Sequence, residues 1–431
     1  MKSVYSKFLG PSLRALGILL VFSAVLFVSF VAFARLVANL PESILPFPDQ
    51  TIQLSGMPAT FQTAVLPKWE IGQRIPLPSD NEESISKTLG SFPEAVYYEG
   101  TSSRLTVVIP GLGGNSTDSM NVWFARPFIN GGDSVLILPS PSHPDFFEIH
   151  LTNFDFQQAN QALCKVVKSF VSGKHFKRQK ISSLLLAGYS LGGRNVLEMP
   201  DCLSDLLASQ KLSLDVFSMN PPIDLEYAAS VLDGALGDPA GVQNGDFAEA
   251  FLFGLYTKLM ALSFGEFNGM DNVDEPTIIL TARRWAFFLE NKDSTLKKLI
   301  ATLFAYKLKP TLQFVSNIEN GIGVDKDTFS FRVLTSVLPE SRPRNLQHIL
   351  DRVKHVNEKT GGRLFVLHSL DDFLIRAADL ESLSKYAPDH VLALSLGGHV
   401  GAIFKPEYVT GFNLGRSLGV FPSVNDPRNE H

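Results

Sequence analysis

Short apolar runs recur along the chain at 95–98, 105–109, 134–138, 184–187, 214–219, 364–367 and 391–396, set off by glycine, proline or polar clusters. Runs of this length with such boundaries predict β-strands. The stretch 156–171 has Ala159, Leu163, Val166, Val167 and Phe170 on one helical face and leads into the run at 184–187. Strands alternating with helices predict an α/β fold with a mostly parallel sheet. After 214–219 the alternation stops for about 130 residues, and apolar residues at helical spacing fill 248–264, 275–291, 294–308 and 344–356. We read these as a helical cap over the sheet, which resumes at 364. Upstream, proline-punctuated pieces over 37–95 break any long helical period and predict a stalk followed by short edge elements.

The N-terminal pattern is of another kind: 15–34 runs twenty residues without a charge. As a helix it is ~30 Å long, the hydrocarbon thickness of a bilayer. A cleavable signal is the competing reading, since Ala32, Phe33 and Ala34 have the small-x-small form of a cleavage site, and a buried core helix is a third. The apolar stretch exceeds the usual signal length, which favours an uncleaved anchor. Lys2, Lys7 and Arg14 precede it and only Arg35 closely follows, so the positive-inside rule predicts a cytoplasmic N-terminus and an extracytoplasmic main domain. With cleavage near Ala34 the product is secreted instead. The expected organisation is a cytoplasmic N-terminus (1–14), an anchor (15–36), stalk and edge elements (37–94), an α/β core (95–224 and 358–425) and a cap insertion (225–357).

Composition narrows this picture. The 431 residues are 45% hydrophobic and 19% charged, enough to bury a large core. A net charge of −5, a pI near 6.0 and the lack of a long Lys/Arg run argue against nucleic acid as a partner. Cys164 and Cys202 are the only cysteines, which excludes a disulfide-rich scaffold and a cysteine-built metal site. They flank 184–196 on two predicted helices; a single disulfide and two buried thiols both remain open.

The candidate chemistry centres on Gly188, Tyr189, Ser190, Leu191 and Gly192, where a predicted strand turns sharply into a helix. A nucleophilic serine on such a turn needs glycine two residues before and two residues after, because side chains there would crowd the hydroxyl. The string alone is a weak signal; its context and the residues that follow strengthen it. In LDDFLI, 370–375, Asp372 is the preferred acid to orient an imidazole, with Asp371 as the alternative. A structural reading has both aspartates capping a helix that starts near Leu374. His399, in GGHVG after the last predicted strand, is the candidate general base and then acid. His368 belongs in or beside its strand, and the pair His150 and Asp155 reads as surface chemistry. After the strand at 105–109 comes PGLGGN, 110–115, with Gly111 and Gly113 flanking Leu112. The backbone N–H groups of Leu112 and Leu191 are the candidate oxyanion donors.

Together these motifs, with NPPIDL at 220–225 read as a short proline motif after the sixth strand, resemble the α/β-hydrolase superfamily over roughly 95–412, and within it the YheT-like branch. The resemblance implies an α/β-hydrolase fold with Ser190 as nucleophile, Asp372 as acid, His399 as base, and Leu112 and Leu191 as oxyanion donors. Three departures stand out: Pro110 where relatives commonly have His, Pro200 interrupting the helix after the elbow, and the long insertion. The expected function is a membrane-anchored serine hydrolase that cleaves carboxylic esters, lipid esters included, with no metal or organic cofactor. An acyltransferase with the same triad, and a catalytically silent tethered binding protein, are the alternatives.

Overall fold

The computed structural model describes residues 5–40, 72–77, 94–143, 146, 156–173, 181–236, 301, 304, 305, 308, 331, 351, 354, 355, 358, 361–386, 390–394 and 397–400. Among the described residues eight strands form one sheet in the order β1-β2-β4-β3-β5-β6-β7-β8. They are β1 (Gln73–Pro76), β2 (Glu94–Tyr98), β3 (Arg104–Ile109), β4 (Ser134–Ile137), β5 (Ser183–Tyr189), β6 (Ser213–Met219), β7 (Leu364–Ser369) and β8 (Val391–Leu394). β2 runs antiparallel to β1 and β4, and every other pairing is parallel. This mostly parallel order with its antiparallel edge and flanking helices is the α/β-hydrolase fold.

The apolar runs are continuous because both faces of the sheet are covered, and side chains alternate between the two faces. Leu105, Val107, Leu184, Leu186, Leu214, Val216, Leu364 and Val366 share one core with α3 (Phe156–Ser172) and α5 (Pro200–Gln210). Val108, Leu185, Ala187, Phe217, Phe365 and Leu367 share the other with α2 (Ser119–Asn130). On that side Phe124 stacks on Phe217 and Phe217 on Phe365, at 6.0 and 5.7 Å between ring centres. The elbow helix α4 (Leu191–Glu198) ends early, and Pro200 starts α5 at a first-turn position where its missing N–H costs nothing. Two further helices are α6 (Leu225–Leu236) after β6 and α7 (Ala377–Tyr386) between β7 and β8.

The sequence pattern predicts no individual helix at α2, which has Pro127 inside it, at α6 or at α7, and β1, whose side chains are mostly exposed, falls among the short edge elements expected there. Cys164 on α3 and Cys202 on α5 are disulfide-bonded, with Cα atoms 6.2 Å apart.

At the N-terminus α1 (Tyr5–Ala38) contains an 18-residue window, Val21–Ala38, long and apolar enough to cross a membrane. Val21, Phe22, Val25, Phe27 and Val28 on it are exposed. Most of the expected stalk at 37–94, the helices expected at 248–264 and 275–291, and everything beyond 400 lie outside the described residues, so the domain boundaries remain expectations. Within the expected cap, Ala301, Ala305, Leu308 and Phe331 are buried and pack with Ala228, Ala229 and Leu232 of α6.

Candidate active site

Strand β5 delivers its apolar run into a turn with no room for side chains on either flank of Ser190. A Cβ on Gly188 would stand 2.4 Å from the Gly192 carbonyl oxygen, and one on Gly192 would stand 2.1 Å from that of Ile109. Ser190 itself adopts φ 54°, ψ −130°, a sparsely populated conformation for an L residue. Its N–H donates to Met219 O at 2.8 Å, which fixes the turn against β6.

From this turn the Ser190 hydroxyl donates to His399 Nε2 at 2.7 Å. His399 Nδ1–H donates to Asp372 Oδ2 at 2.9 Å and lies 3.2 Å from Oδ1. An ionised carboxylate only accepts, so Nδ1 carries the proton and Nε2 offers its lone pair to the serine. All three side chains are buried. Burial works to raise the Asp372 carboxyl, but the charge and hydrogen bond of His399, with His368 and the Leu374 N–H, outweigh it and hold the group below the usual carboxylate range. The Phe373 ring meets the His399 ring edge to face at 6.1 Å.

Asp371 sits elsewhere: its Oδ1 accepts the Gly398 N–H at 2.8 Å, tying the loop that carries His399. No helix starts near Leu374, contrary to the structural reading of the two aspartates. Asp372 Oδ1 accepts the Leu374 N–H at 2.9 Å in a local turn, and α7 begins only at Ala377. His368 is fully buried on β7, and burial pushes its imidazole down, toward the neutral form. His150 and Asp155 lie outside the described residues.

The loop after β3 passes directly over the serine: a Cβ on Gly111 would stand 3.0 Å from Ser190 Cβ and 3.4 Å from its Oγ. The N–H groups of 110–115 can be accounted for one by one. Pro110 has none. Gly111 donates to the Tyr189 hydroxyl, Gly113 to Ser142 Oγ at 2.8 Å, Gly114 to Gly111 O at 3.1 Å and Asn115 to Asp118 Oδ2 at 3.0 Å. Leu112 is left as the N–H of this loop with no recorded acceptor among the described residues. Leu191 opens α4, so its N–H is one of the donors that a helix start leaves without an intrahelical partner. The site thus holds the candidates Ser190, His399, Asp372, Leu112, Leu191, Gly111, Gly113, Gly188 and Gly192 in one place, at the carboxyl ends of β3, β5, β7 and β8, where open α/β sheets bind ligands.

Several supports had no sequence signal of their own. Tyr189 donates to Asn121 Oδ1, Ser142 steadies Gly113, and Asn220 Nδ2 donates to Asp372 Oδ2 at 2.9 Å. Tyr189 and Asn220 lie within motifs, the elbow string and NPPIDL, that gave neither side chain a role. No group of three or more His, Cys, Asp or Glu able to hold a metal ion occurs among the described residues.

No family model and no curated protein matches the chain. Among solved structures it is similar to the Pyrococcus furiosus esterase Pf2001, at 12% identity and a TM-score of 0.38 over 83% of this chain and 98% of that one. Est1E from Butyrivibrio proteoclasticus is 11% identical, with a TM-score of 0.38 over 79% of this chain and 99% of that one. An epoxide hydrolase of the alpha/beta hydrolases superfamily, from metagenomes of hot environments, is 15% identical, with a TM-score of 0.39 over 82% and 99%. The fold stands on strand order and pairing.

Proposed function

We propose that this chain is a serine hydrolase that cleaves carboxylic esters through an acyl-serine intermediate. The observation that carries the reading is the unbroken hydrogen-bond chain from Ser190 through His399 to Asp372, with the serine on a strained strand-to-helix turn. Ser190 Oγ attacks the ester carbonyl carbon while its proton passes to His399 Nε2. Asp372 stabilises the imidazolium, and the N–H groups of Leu112 and Leu191 receive the charge that develops on the carbonyl oxygen. His399 then protonates the leaving alkoxide, and water repeats the sequence to release the acid.

Apolar side chains near the site, Leu112, Phe373 and Leu374 with Ala228, Ala229 and Leu232, favour an apolar acyl group and hence lipid esters. The α1 helix is assigned as an uncleaved anchor that keeps the catalytic domain outside the cytoplasm. The Cys164–Cys202 disulfide supports an oxidising compartment. The order of the motifs supports a place in the YheT-like branch.

The test is labelling of the membrane-fraction protein with a fluorophosphonate probe, beside the Ser190→Ala variant, followed by peptide mapping. Modification at Ser190 that disappears in the variant is the expected result. A folded wild-type protein that stays unlabelled overturns the assignment.

A further inference from the structure

The NPPIDL segment has no part in the mechanism above, yet its first residue touches the machinery at three points. Asn220 follows β6 and is fully buried. Its φ of 47° is left-handed, a conformation that asparagine tolerates better than most residues. Its N–H donates to Leu367 O of β7 at 2.8 Å, which keys the end of one strand to the next. The side-chain Nδ2 then faces two oxygen acceptors, Asp372 Oδ2 at 2.9 Å and Gly398 O at 3.4 Å, and lies 3.4 Å from His368 Nδ1. Rotating the amide would set its oxygen against the carboxylate and the carbonyl, so these two acceptors determine its orientation.

Each neighbour is itself held. The His368 ring is held from both sides, with Nε2 3.3 Å from Pro221 O and Nδ1 3.3 Å from Ser369 O. The carbonyls of Pro222 and Ile223 accept from Arg194 Nη1 on the elbow helix, at 3.5 and 3.2 Å. Two prolines in succession fix the turn and bring no N–H groups that would need acceptors.

We propose that Asn220 is a positioning residue whose single amide holds the Asp372 carboxylate and the His399 loop in register with each other. The inference rests on the proposed triad. Around the carboxylate the titratable groups are His399 from the loop after β8, His368 on β7 and Asp371 beside it in the chain; from β6 comes the neutral amide. An N–H donated to Oδ2 stabilises the anion and limits how strongly it holds an imidazolium. Without that donor the carboxylate binds the protonated imidazole more tightly, so the base is lost at a higher pH.

The experiment follows the second-order rate of fluorophosphonate labelling of the full-length chain across pH. In that reaction an O–P bond forms at Ser190 Oγ, fluoride leaves with the P–F electron pair, and the hydroxyl proton passes to His399 Nε2. Asn220→Gly removes the amide and accepts the positive φ; Asn220→Asp keeps the shape and replaces the donor by a second carboxylate. The Gly variant is expected to label about 10- to 100-fold more slowly on the plateau, with the acid limb moved up by about one pH unit. The Asp variant is expected to move the limb further in the same direction. An unmoved acid limb in both variants overturns the proposal, even if labelling slows in step with a lower melting temperature, because that pattern is ordinary packing. A wild-type protein that does not label at Ser190 overturns the triad reading and this inference with it, whereas normal wild-type labelling with wild-type-like variants overturns this inference alone.

Discussion

Asp371 and Asp372 are adjacent carboxylates with different tasks, set by where the backbone aims each one. Asp372 accepts from His399, Asn220 and the Leu374 N–H, while Asp371 accepts from the Gly398 N–H. Asp372→Asn removes the charge facing the imidazole and permits the wrong tautomer, so ester turnover is expected to fall by about 10³- to 10⁴-fold. Asp371→Asn keeps an oxygen for Gly398 and should lose no more than about tenfold. Steady-state kinetics on one ester with both variants checks the pair; equal losses would contradict the assignment. Sequence could bring the acid down to two neighbours and no further, because the choice depends on a turn whose geometry is set by contacts with a loop 27 residues away. Asn220 was harder still: its importance appears only once the ends of β6 and β7 lie side by side.

Elements were readable to the extent that their burial was uniform. β5 and β7, buried along almost their whole length, stand out as apolar runs, and so does the amphipathic face of α3. β1 does not, since QRIP is held by backbone pairing to β2 rather than by side-chain burial. The α2 helix was hidden by Pro127, which reads as a breaker because it lacks the N–H of an intrahelical bond, yet the helix runs on to Asn130. Whether Cys164 and Cys202 pair could not be read from spacing, because the answer lies in the packing of α3 against α5. That bond closes a segment with a sequence separation of 38 that contains β5 and the elbow. Loop-closure entropy puts its contribution to stability at about 2–4 kcal/mol. A Cys164→Ala, Cys202→Ala double variant is expected to unfold at lower denaturant by that amount while labelling normally where folded. Equal denaturation midpoints for the two proteins would show that the link contributes nothing.

At the scale of the whole molecule, the sheet keeps its catalytic candidates at one end and a second set of buried charges on strands and turns nearer the other. Asp133, just before β4, accepts from Thr106 Oγ1 at 2.6 Å and Ser102 Oγ at 3.0 Å, and Arg104 lies 3.3 Å from Asp215. Burial pushes both carboxyls up to about 6 despite these partners. Since the folded state holds these protons more tightly than the unfolded chain, the stabilisation is complete below the ordinary value of 3.8 and is lost as pH rises through about 6. His368 acts in the opposite sense, because its depressed imidazole stabilises the fold above its ordinary 6.5 and less as pH falls. Comparison with Asp133→Asn isolates one group from the rest. The variant is expected to gain stability over wild type at pH 7.5, by at most about 3 kcal/mol, with the gain shrinking toward pH 5. Urea midpoints at the two pH values check this, and a difference independent of pH would refute it. Assembly across several strands also has a temporal side. The hydroxyl of Ser190 and the imidazole of His399 are separated by 209 positions, so on the proposed chemistry a growing or translocating chain carries an inert alcohol for half its length. On that proposal the site is complete only once the loop after β8 has docked against the end of β5, so folding itself sets the moment at which the serine gains its base.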